Sequence, residues 1–151
     1  MAVIFSGCFK DPQPPDCNFD ACAIVAPAAE IQQVQAYLTN NNITAVQHCS
    51  GLFYEIELAG TGKVATPCSM VAVKYEGKLT NGDVFDSQTT DAVAFNLGSL
   101  ITSWKVGLPL IKEGGKIKLY IPPSLGYGSQ ANGPIPANSV LIFEIELVAV
   151  Q

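Results

Sequence analysis

From residue 52 onward, apolar and polar residues alternate in short runs, and this period of two most restricts what the chain can fold into. In the first run, Leu52, Tyr54, Ile56 and Leu58 alternate with Phe53, Glu55 and Glu57, which predicts a half-buried strand. The pair Asn81-Gly82 is a strong hairpin signal. Strand patterns are found at 52–58, 71–75, 93–97, 116–121 and 140–150.

Between the third and fourth strand patterns lies the segment LGSLITSWKVGLPLI, which predicts a short helix. One predicted face is apolar, with Ile101, Trp104 and Leu108, and the other shows Thr102, Ser103 and Lys105 to solvent. A helix of two turns is not stable alone, so it must pack on the sheet. The chain is therefore predicted to have an α+β fold, a mostly antiparallel sheet curled over a short helix.

The N-terminal third has a different pattern. Residues 8–26 are rich in proline and acidic residues, without a steady period, and residues 1–26 are predicted to be a signal remnant and flexible tether. A helix is predicted from Pro27, with an apolar stripe, and ends at the asparagine run 40–42. We therefore divide the 151 residues into this tether, a helix and connection at 27–51, and one domain at 52–151.

The charge of the chain excludes one class of partner. The formal net charge is −5, and clusters of Lys and Arg that bind nucleic-acid phosphates are absent from the sequence. Nucleic acid is therefore not a predicted partner. No run reaches the roughly 18 apolar residues that cross a bilayer.

The five cysteines all lie in the first half of the chain, at positions 8, 17, 22, 49 and 68. With no CxxC spacing and one histidine, His48, which is predicted to be a solvated loop residue, we predict no metal site. The sequence FSGC before and at Cys8 is similar to the cleavage box of bacterial lipoproteins, in which this cysteine is lipidated. A membrane tether through Cys8 would place the protein in the cell envelope, as a periplasmic or outer-membrane lipoprotein. An accidental cysteine would leave it cytoplasmic.

If Cys8 is lipidated, an oxidising compartment permits two disulfides among the other four cysteines. The sequence does not choose among their three pairings.

Three segments taken together resemble the FKBP-type peptidyl-prolyl cis-trans isomerases. They are VAVKYEGKLTNGDVFDSQ, FNLGSLITSWKVGLPLIKEGGKIKLYIPPSLGYG and GPIPANSVLIFEIEL, which follow one another in the order and near-spacing of that family. The resemblance covers about residues 52 to 150. It implies a five-stranded sheet wrapped on a short helix, with an aromatic pocket between them.

The resemblance also implies the roles of individual residues. The implied catalytic group consists of Trp104 at the pocket floor with Phe85, Asp86 and Tyr127. The implied substrate-binding walls are Tyr75, Phe95, Leu100, Ile101, Ile135 and Phe143. In the family, the backbone N–H at the position of Ile101 donates to the carbonyl of the bound peptide. Two features depart from the family: Ser103 replaces the glycine before the tryptophan, and the segment that links the Phe95 strand to the helix is shorter.

The implied activity needs no cofactor and no nucleophile. Rotation about an X-Pro bond must break amide resonance, over a barrier of about 18–20 kcal/mol. An apolar pocket disfavours the planar amide more than the twisted one. Proline-containing or unfolded polypeptides are the expected partners, with macrolides of the rapamycin type as inhibitors. The alternative is a peptide-binding or chaperone module of the same fold without significant turnover.

Overall fold

The computed structural model describes residues 17–151, so the proposed lipidation site Cys8 lies outside the described residues. The helices are α1 (Ala28–Asn40) and α2 (Thr102–Gly107), with single 3-10 turns at Leu97–Ser99, Leu108–Leu110 and Pro123–Leu125. The strands are β1 (Val46–Gln47), β2 (Phe53–Leu58), β3 (Met70–Leu79), β4 (Val84–Asn96), β5 (Lys116–Ile121) and β6 (Leu141–Val150). None of the helices in this described part is long and apolar enough to cross a membrane.

All six strands form one antiparallel sheet in the order β1-β2-β5-β6-β3-β4. The α+β fold predicted from the sequence is confirmed, and β1 is the strand beyond the expected five. The predicted helix that ends at the asparagine run is also present as α1.

Strand β4 is longer than the sequence pattern predicts. It spans 13 residues, although only 93–97 has a strand pattern. The residues from Asp86 to Ala92 are exposed: β4 is an edge strand, and its register with β3 shifts between the pairs Val73–Val93 and Tyr75–Gln88. A strand without a buried face has no apolar alternation to reveal it.

The sheet has an apolar layer on each face. Along one face, Phe53, Tyr120 and Ile142 form a register row across β2, β5 and β6, and Val34 and Leu38 of α1 pack on this row. We call this the α1 face. The next residues along the strands, among them Leu119 and Phe143, point to the opposite side and pack with α2 in the larger core, which we call the α2 face.

The alternation in β2 does not continue to the end of the strand. Leu52 is buried and Tyr54 is partly buried, but Ile56 and Leu58 are 44% and 53% exposed. A register shift separates Ile56 from Leu58, and the described residues place no core element over either side chain.

The segment 17–26 is attached to the domain by two disulfides, Cys17–Cys68 and Cys22–Cys49. This is one of the three pairings that the sequence left open. Phe19 packs against the main core, and its ring centroid lies 5.4 Å from the Lys105 ammonium of α2. The domain boundaries stay a prediction, and this part of the predicted tether lies against the domain.

Candidate functional site

Four aromatic rings from three strands and one helix meet on the α2 face. Tyr75 comes from β3, Phe95 from β4, Phe143 from β6 and Trp104 from α2. The Trp104 ring centroid lies 5.3 Å from that of Tyr75 and 5.2 Å from that of Phe143, with interplanar angles of 79° and 87°. Edge-to-face contacts of this kind are favourable.

These rings surround a cleft of about 160 Å³. Eight of the ten site residues implied by the resemblance line it: Tyr75, Asp86, Phe95, Leu100, Ile101, Trp104, Tyr127 and Phe143. Phe85 and Ile135 do not line it. The Phe85 ring packs edge-on against Phe143 at 5.4 Å, and Ile135 is buried in the same core, so both lie behind the wall.

Two glycines allow the close packing behind the cleft. A Cβ atom at Gly77 would lie 2.6 Å from ring atoms of both Phe143 and Phe85. A Cβ atom at Gly107 would lie 2.7 Å from Leu119, so α2 can approach the sheet only with glycine there. The position of Trp104 therefore depends on small residues of its own helix.

The prediction that Ser103 faces solvent is wrong. Ser103 is fully buried, one turn of α2 before Gly107, on the part of the helix that approaches the sheet. Small residues at this spacing permit close packing without contributing to a hydrophobic pattern, so the pattern missed them. The Ser103 hydroxyl and the Trp104 Nε1 have no hydrogen-bond partner within the described part of the chain.

Polar groups form one edge of the cleft. The Tyr75 hydroxyl donates to the Asp86 carboxylate at 2.8 Å. Burial first, and this hydrogen bond second, raise the pKa of Tyr75 to about 12. Burial and then the charge of Asp86 also raise the pKa of Tyr127. Both phenols therefore remain protonated at neutral pH.

Two hydrogen-bonding groups at the cleft are free to meet a ligand. The Ile101 backbone N–H donates to no acceptor among residues 17–151, because it lies between a 3-10 turn and the start of α2. The Tyr127 hydroxyl, on a side chain that is 37% exposed, also makes no hydrogen bond to a described residue. A peptide carbonyl in the cleft would find donors at these two groups.

Sequence reasoning missed one contact between α1 and the loop that carries Tyr127. The backbone N–H and the hydroxyl of Ser124 donate to the Glu30 carboxylate at 3.0 and 2.6 Å. Ser124 belongs to the loop 122–128, which also carries Tyr127. The two partners are 94 residues apart, so no local pattern could have paired them.

A second cleft, of about 200 Å³, is lined mainly by charged side chains of the strands. Two of its lining carboxylates, Glu57 and Glu144, pair with Lys118 at 3.3 and 3.2 Å, and Lys118 is not itself a lining residue. Tyr75 is the one aromatic residue that lines this cleft, so it lacks the aromatic walls of the first.

One group of metal-ligating residue types was also missed by the sequence. Ligand atoms of Cys22, His48 and Cys49 lie within 4.8 Å of one another. The two cysteines are joined as a disulfide in this structure. Their spacing along the chain is irregular, so the proximity comes from folding alone.

Comparisons with known proteins point to one family. Residues 62–148 match the family described as FKBP-type peptidyl-prolyl cis-trans isomerase. A probable FKBP-type peptidyl-prolyl cis-trans isomerase of Haemophilus influenzae is 49% identical over 105 residues, which are 68% of this chain and 44% of that protein. The FkpA isomerase of Escherichia coli K12 is 42% identical over 104 residues, which are 68% of this chain and 38% of that protein. The chain therefore spans about two fifths of these relatives.

Solved structures give the same result. The crystal structure of FkpA from Escherichia coli has a TM-score of 0.74 at 36% identity and covers 82% of this chain and 60% of that one. A peptidyl-prolyl cis-trans isomerase from Pseudomonas syringae pv. tomato has a TM-score of 0.71 at 31% identity and covers 83% of this chain and 97% of that one.

Proposed function

The chain belongs to the FKBP-type peptidyl-prolyl cis-trans isomerase family, as the sequence motifs indicated, and from this we propose that it catalyses cis-trans isomerisation of X-Pro bonds in polypeptides. The proposed substrates are proline-containing segments of unfolded or partly folded chains. The observation that carries the proposal is the aromatic cleft, with Trp104 between Tyr75 and Phe143 and two hydrogen-bonding groups free at its mouth.

In the proposed mechanism, the prolyl ring enters between the aromatic walls above Trp104. The planar amide carries more charge on its oxygen than the twisted amide, so removal from water raises the energy of the ground state more than that of the transition state. Differential stabilisation of about 6 kcal/mol corresponds to a rate increase on the order of ten-thousandfold. No proton transfer to or from the substrate is required.

The polar groups would orient the peptide rather than react with it. We assign the Ile101 N–H as donor to the peptide carbonyl that flanks the proline, and the Tyr127 hydroxyl as a second donor. Asp86 fixes the Tyr75 hydroxyl through their hydrogen bond and places a carboxylate at the mouth of the cleft. Phe85 and Ile135 support the wall from behind.

An assay of X-Pro isomerisation tests the proposal directly. Exchange NMR or a protease-coupled assay with a short X-Pro peptide should show isomerisation much faster than the uncatalysed reaction, which takes tens to hundreds of seconds. A macrolide of the rapamycin type should inhibit turnover and change the fluorescence of Trp104, the only tryptophan. Ligand-dependent fluorescence without turnover would instead support a binding or chaperone module.

The proposed location is the cell envelope. Two disulfides in residues 17–68 support this, because such bonds persist in oxidising compartments. The lipid anchor at Cys8 is part of the same proposal, and mass spectrometry of native material tests it. An uncleaved chain with an unmodified Cys8 would exclude the anchor while leaving the isomerase assay unaffected.

A further inference from the structure

The Cys22–Cys49 disulfide differs from its neighbour in what lies beside it. Both of its cysteines are exposed, and the ring of His48 lies against Cys49. His48 is the only histidine in the chain, so the Cys17–Cys68 disulfide has no imidazole beside it. The Cα–Cα distance is 5.5 Å in each disulfide, so the two have the same backbone span and different surroundings.

Hydrogen bonds with Ser50 determine where the imidazole carries its proton. The backbone N–H of Ser50 donates to His48 Nδ1 at 3.1 Å, and the Ser50 hydroxyl lies 2.9 Å from the same nitrogen. Because a backbone N–H can only donate, Nδ1 is the acceptor and the neutral ring carries its hydrogen on Nε2. Burial lowers the pKa of His48, so the neutral ring predominates at neutral pH.

The Cys49 sulfur lies close to both ring nitrogens, 3.5 Å from Nδ1 and 3.7 Å from Nε2. Since these distances are nearly equal, the sulfur lies over the face of the ring, because a position in the ring plane would overlap the carbon between the two nitrogens. In the exchange, the freed Cys49 side chain would have to rotate about its Cα–Cβ bond to bring its sulfur to the Nε2 hydrogen. A donor at this position stabilises a thiolate and makes Cys49 the better leaving group.

The surroundings of Cys22 have the opposite effect. Its backbone N–H donates to the Asp20 carboxylate at 2.9 Å, which places a negative charge beside this cysteine. A thiolate that formed on Cys22 would be repelled by that charge. The two sulfurs are therefore unequal: Cys49 accommodates the electron pair better, and Cys22 is the sulfur to be attacked.

We propose that the Cys22–Cys49 disulfide is a thiol–disulfide exchange site for polypeptides that carry two reduced cysteines. A thiolate of the partner attacks Cys22 Sγ, the Cys22–Cys49 bond breaks, and its electron pair remains on Cys49 Sγ as a thiolate beside the Nε2 hydrogen. The second thiolate of the partner then attacks the partner's own sulfur in the mixed disulfide, and Cys22 takes a proton from water as it leaves, so it is released as a neutral thiol beside Asp20. The partner leaves with a disulfide, and Cys22 and Cys49 remain reduced.

The fold tolerates this exchange without unfolding. Ala26 keeps its backbone hydrogen bond to Ser50 at 2.8 Å, and α1 keeps its buried contacts through Val34 and Leu38. Opening of Cys22–Cys49 thus frees only the turn around Cys22. The proposal does not rest on the isomerase activity, because none of these residues lines the aromatic cleft.

Timed reduction of the intact protein tests the proposal. The protein is incubated with a model peptide that carries two thiols, quenched by alkylation at set times, and each disulfide is quantified by mass spectrometry. We expect Cys22–Cys49 to open on the order of tenfold faster than Cys17–Cys68, with the trapped peptide attached to Cys22. Equal rates for the two disulfides, or attachment mainly at Cys49, would overturn the proposal without the need for any variant.

The variant His48→Ala isolates the imidazole. We expect it to slow the opening of Cys22–Cys49 several-fold while Cys17–Cys68 opens at the wild-type rate, so the second disulfide is the control within the same molecule. If the substitution loosened the fold instead, both disulfides would open faster. An unchanged rate at Cys22–Cys49 would show that the imidazole has no role in exchange.

Discussion

The two faces of the sheet are both covered by a helix, but only the α2 face has a cleft with aromatic walls, since the second cleft is lined mainly by charged strand residues. On the α1 face, Val34 and Leu38 are 0% and 2% exposed and fill the space over Phe53 and Tyr120. On the α2 face, Trp104 is 4% exposed, and yet an open volume of about 160 Å³ remains beside it. Burial of apolar side chains is nearly complete on both faces, so burial alone does not decide where a pocket forms.

The difference comes from shape. Helix α1 has 13 residues and packs branched aliphatic side chains, which interdigitate closely. Helix α2 has six residues, and its Trp104 meets Tyr75 and Phe143 nearly at right angles. Rigid rings at right angles contact one another edge to face and leave space between their planes. A short helix with one large rigid side chain therefore leaves a pocket beside an otherwise closely packed core.

The largest expected effect is a loss of stability, without loss of activity, when both disulfides are removed. Replacement of the four cysteines 17, 22, 49 and 68 by serine removes links across 51 and 27 residues. The unfolded chain gains entropy, so the free energy of unfolding should fall by about 2–4 kcal/mol for each disulfide removed, as measured in urea titrations. Isomerase activity below the unfolding transition should change by less than about twofold, since neither disulfide lines the cleft. Loss of activity would make residues 17–26 part of the site.

A matched pair of core substitutions tests the comparison next. Trp104→Leu and Leu38→Ala each remove buried apolar volume, on opposite faces, and each should destabilise the protein by about 2 kcal/mol or somewhat more. Only Trp104→Leu should also reduce kcat/KM, by more than about tenfold, because only it alters the pocket. Urea unfolding and the X-Pro assay measure the two effects. A similar loss of kcat/KM in both variants would mean that stability, and not the pocket, limits activity.

Sequence patterns predicted the parts of this molecule in which one face of an element is buried. The helical spacing of Ile31, Val34 and Leu38 identified α1, and the family motifs gave all eight residues that line the cleft. Patterns failed where a residue's burial does not follow from its hydrophobicity. Strand β4 is exposed and polar along its middle, whereas Ser103 is polar and fully buried.

Long-range partners form the second group of features that the sequence did not reveal. The contact of Glu30 with Ser124 and the pairing of Cys22 with Cys49 join residues that are far apart in the chain. The sequence around each residue contains no pattern that identifies its partner. Local propensity acts over a few residues, while these contacts depend on how α1 and the turn at 48–51 pack on the sheet. They became visible only with the fold.

The substitution Asp86→Asn has a smaller expected effect, confined to the α2 face. Loss of the carboxylate should reduce kcat/KM by about tenfold, or roughly 1.4 kcal/mol, with little change in the free energy of unfolding at neutral pH. The pKa of Tyr75 should fall from about 12 but remain above its ordinary value, because burial, its main cause, persists. NMR titration of the tyrosine rings measures this.

The same titration has a consequence for stability. Because the folded state raises the pKa of Tyr75, its contribution to stability is complete below about pH 10 and is lost as the pH rises through about 12. In Asp86→Asn this loss should begin at lower pH. An unchanged pKa of Tyr75 would show that the hydrogen bond to Asp86 does not hold in solution.

The smallest expected effect tests the hydrogen bonds that link Glu30 of α1 to the loop with Tyr127. Glu30→Ala removes the acceptor of both Ser124 hydrogen bonds, so the loop with Tyr127 is held less firmly and each bound substrate must order it. We expect KM to rise by about threefold, or roughly 0.7 kcal/mol, with kcat nearly unchanged.

Glu30→Gln keeps an acceptor oxygen and should recover most of the loss. Glu57→Ala, which breaks an ion pair with Lys118 away from the cleft, is the matched control and should leave KM unchanged. If Glu30→Gln were as impaired as Glu30→Ala, the charge and not the hydrogen bond would position the loop. If Glu57→Ala showed the same rise in KM as Glu30→Ala, the link between α1 and the pocket would be refuted.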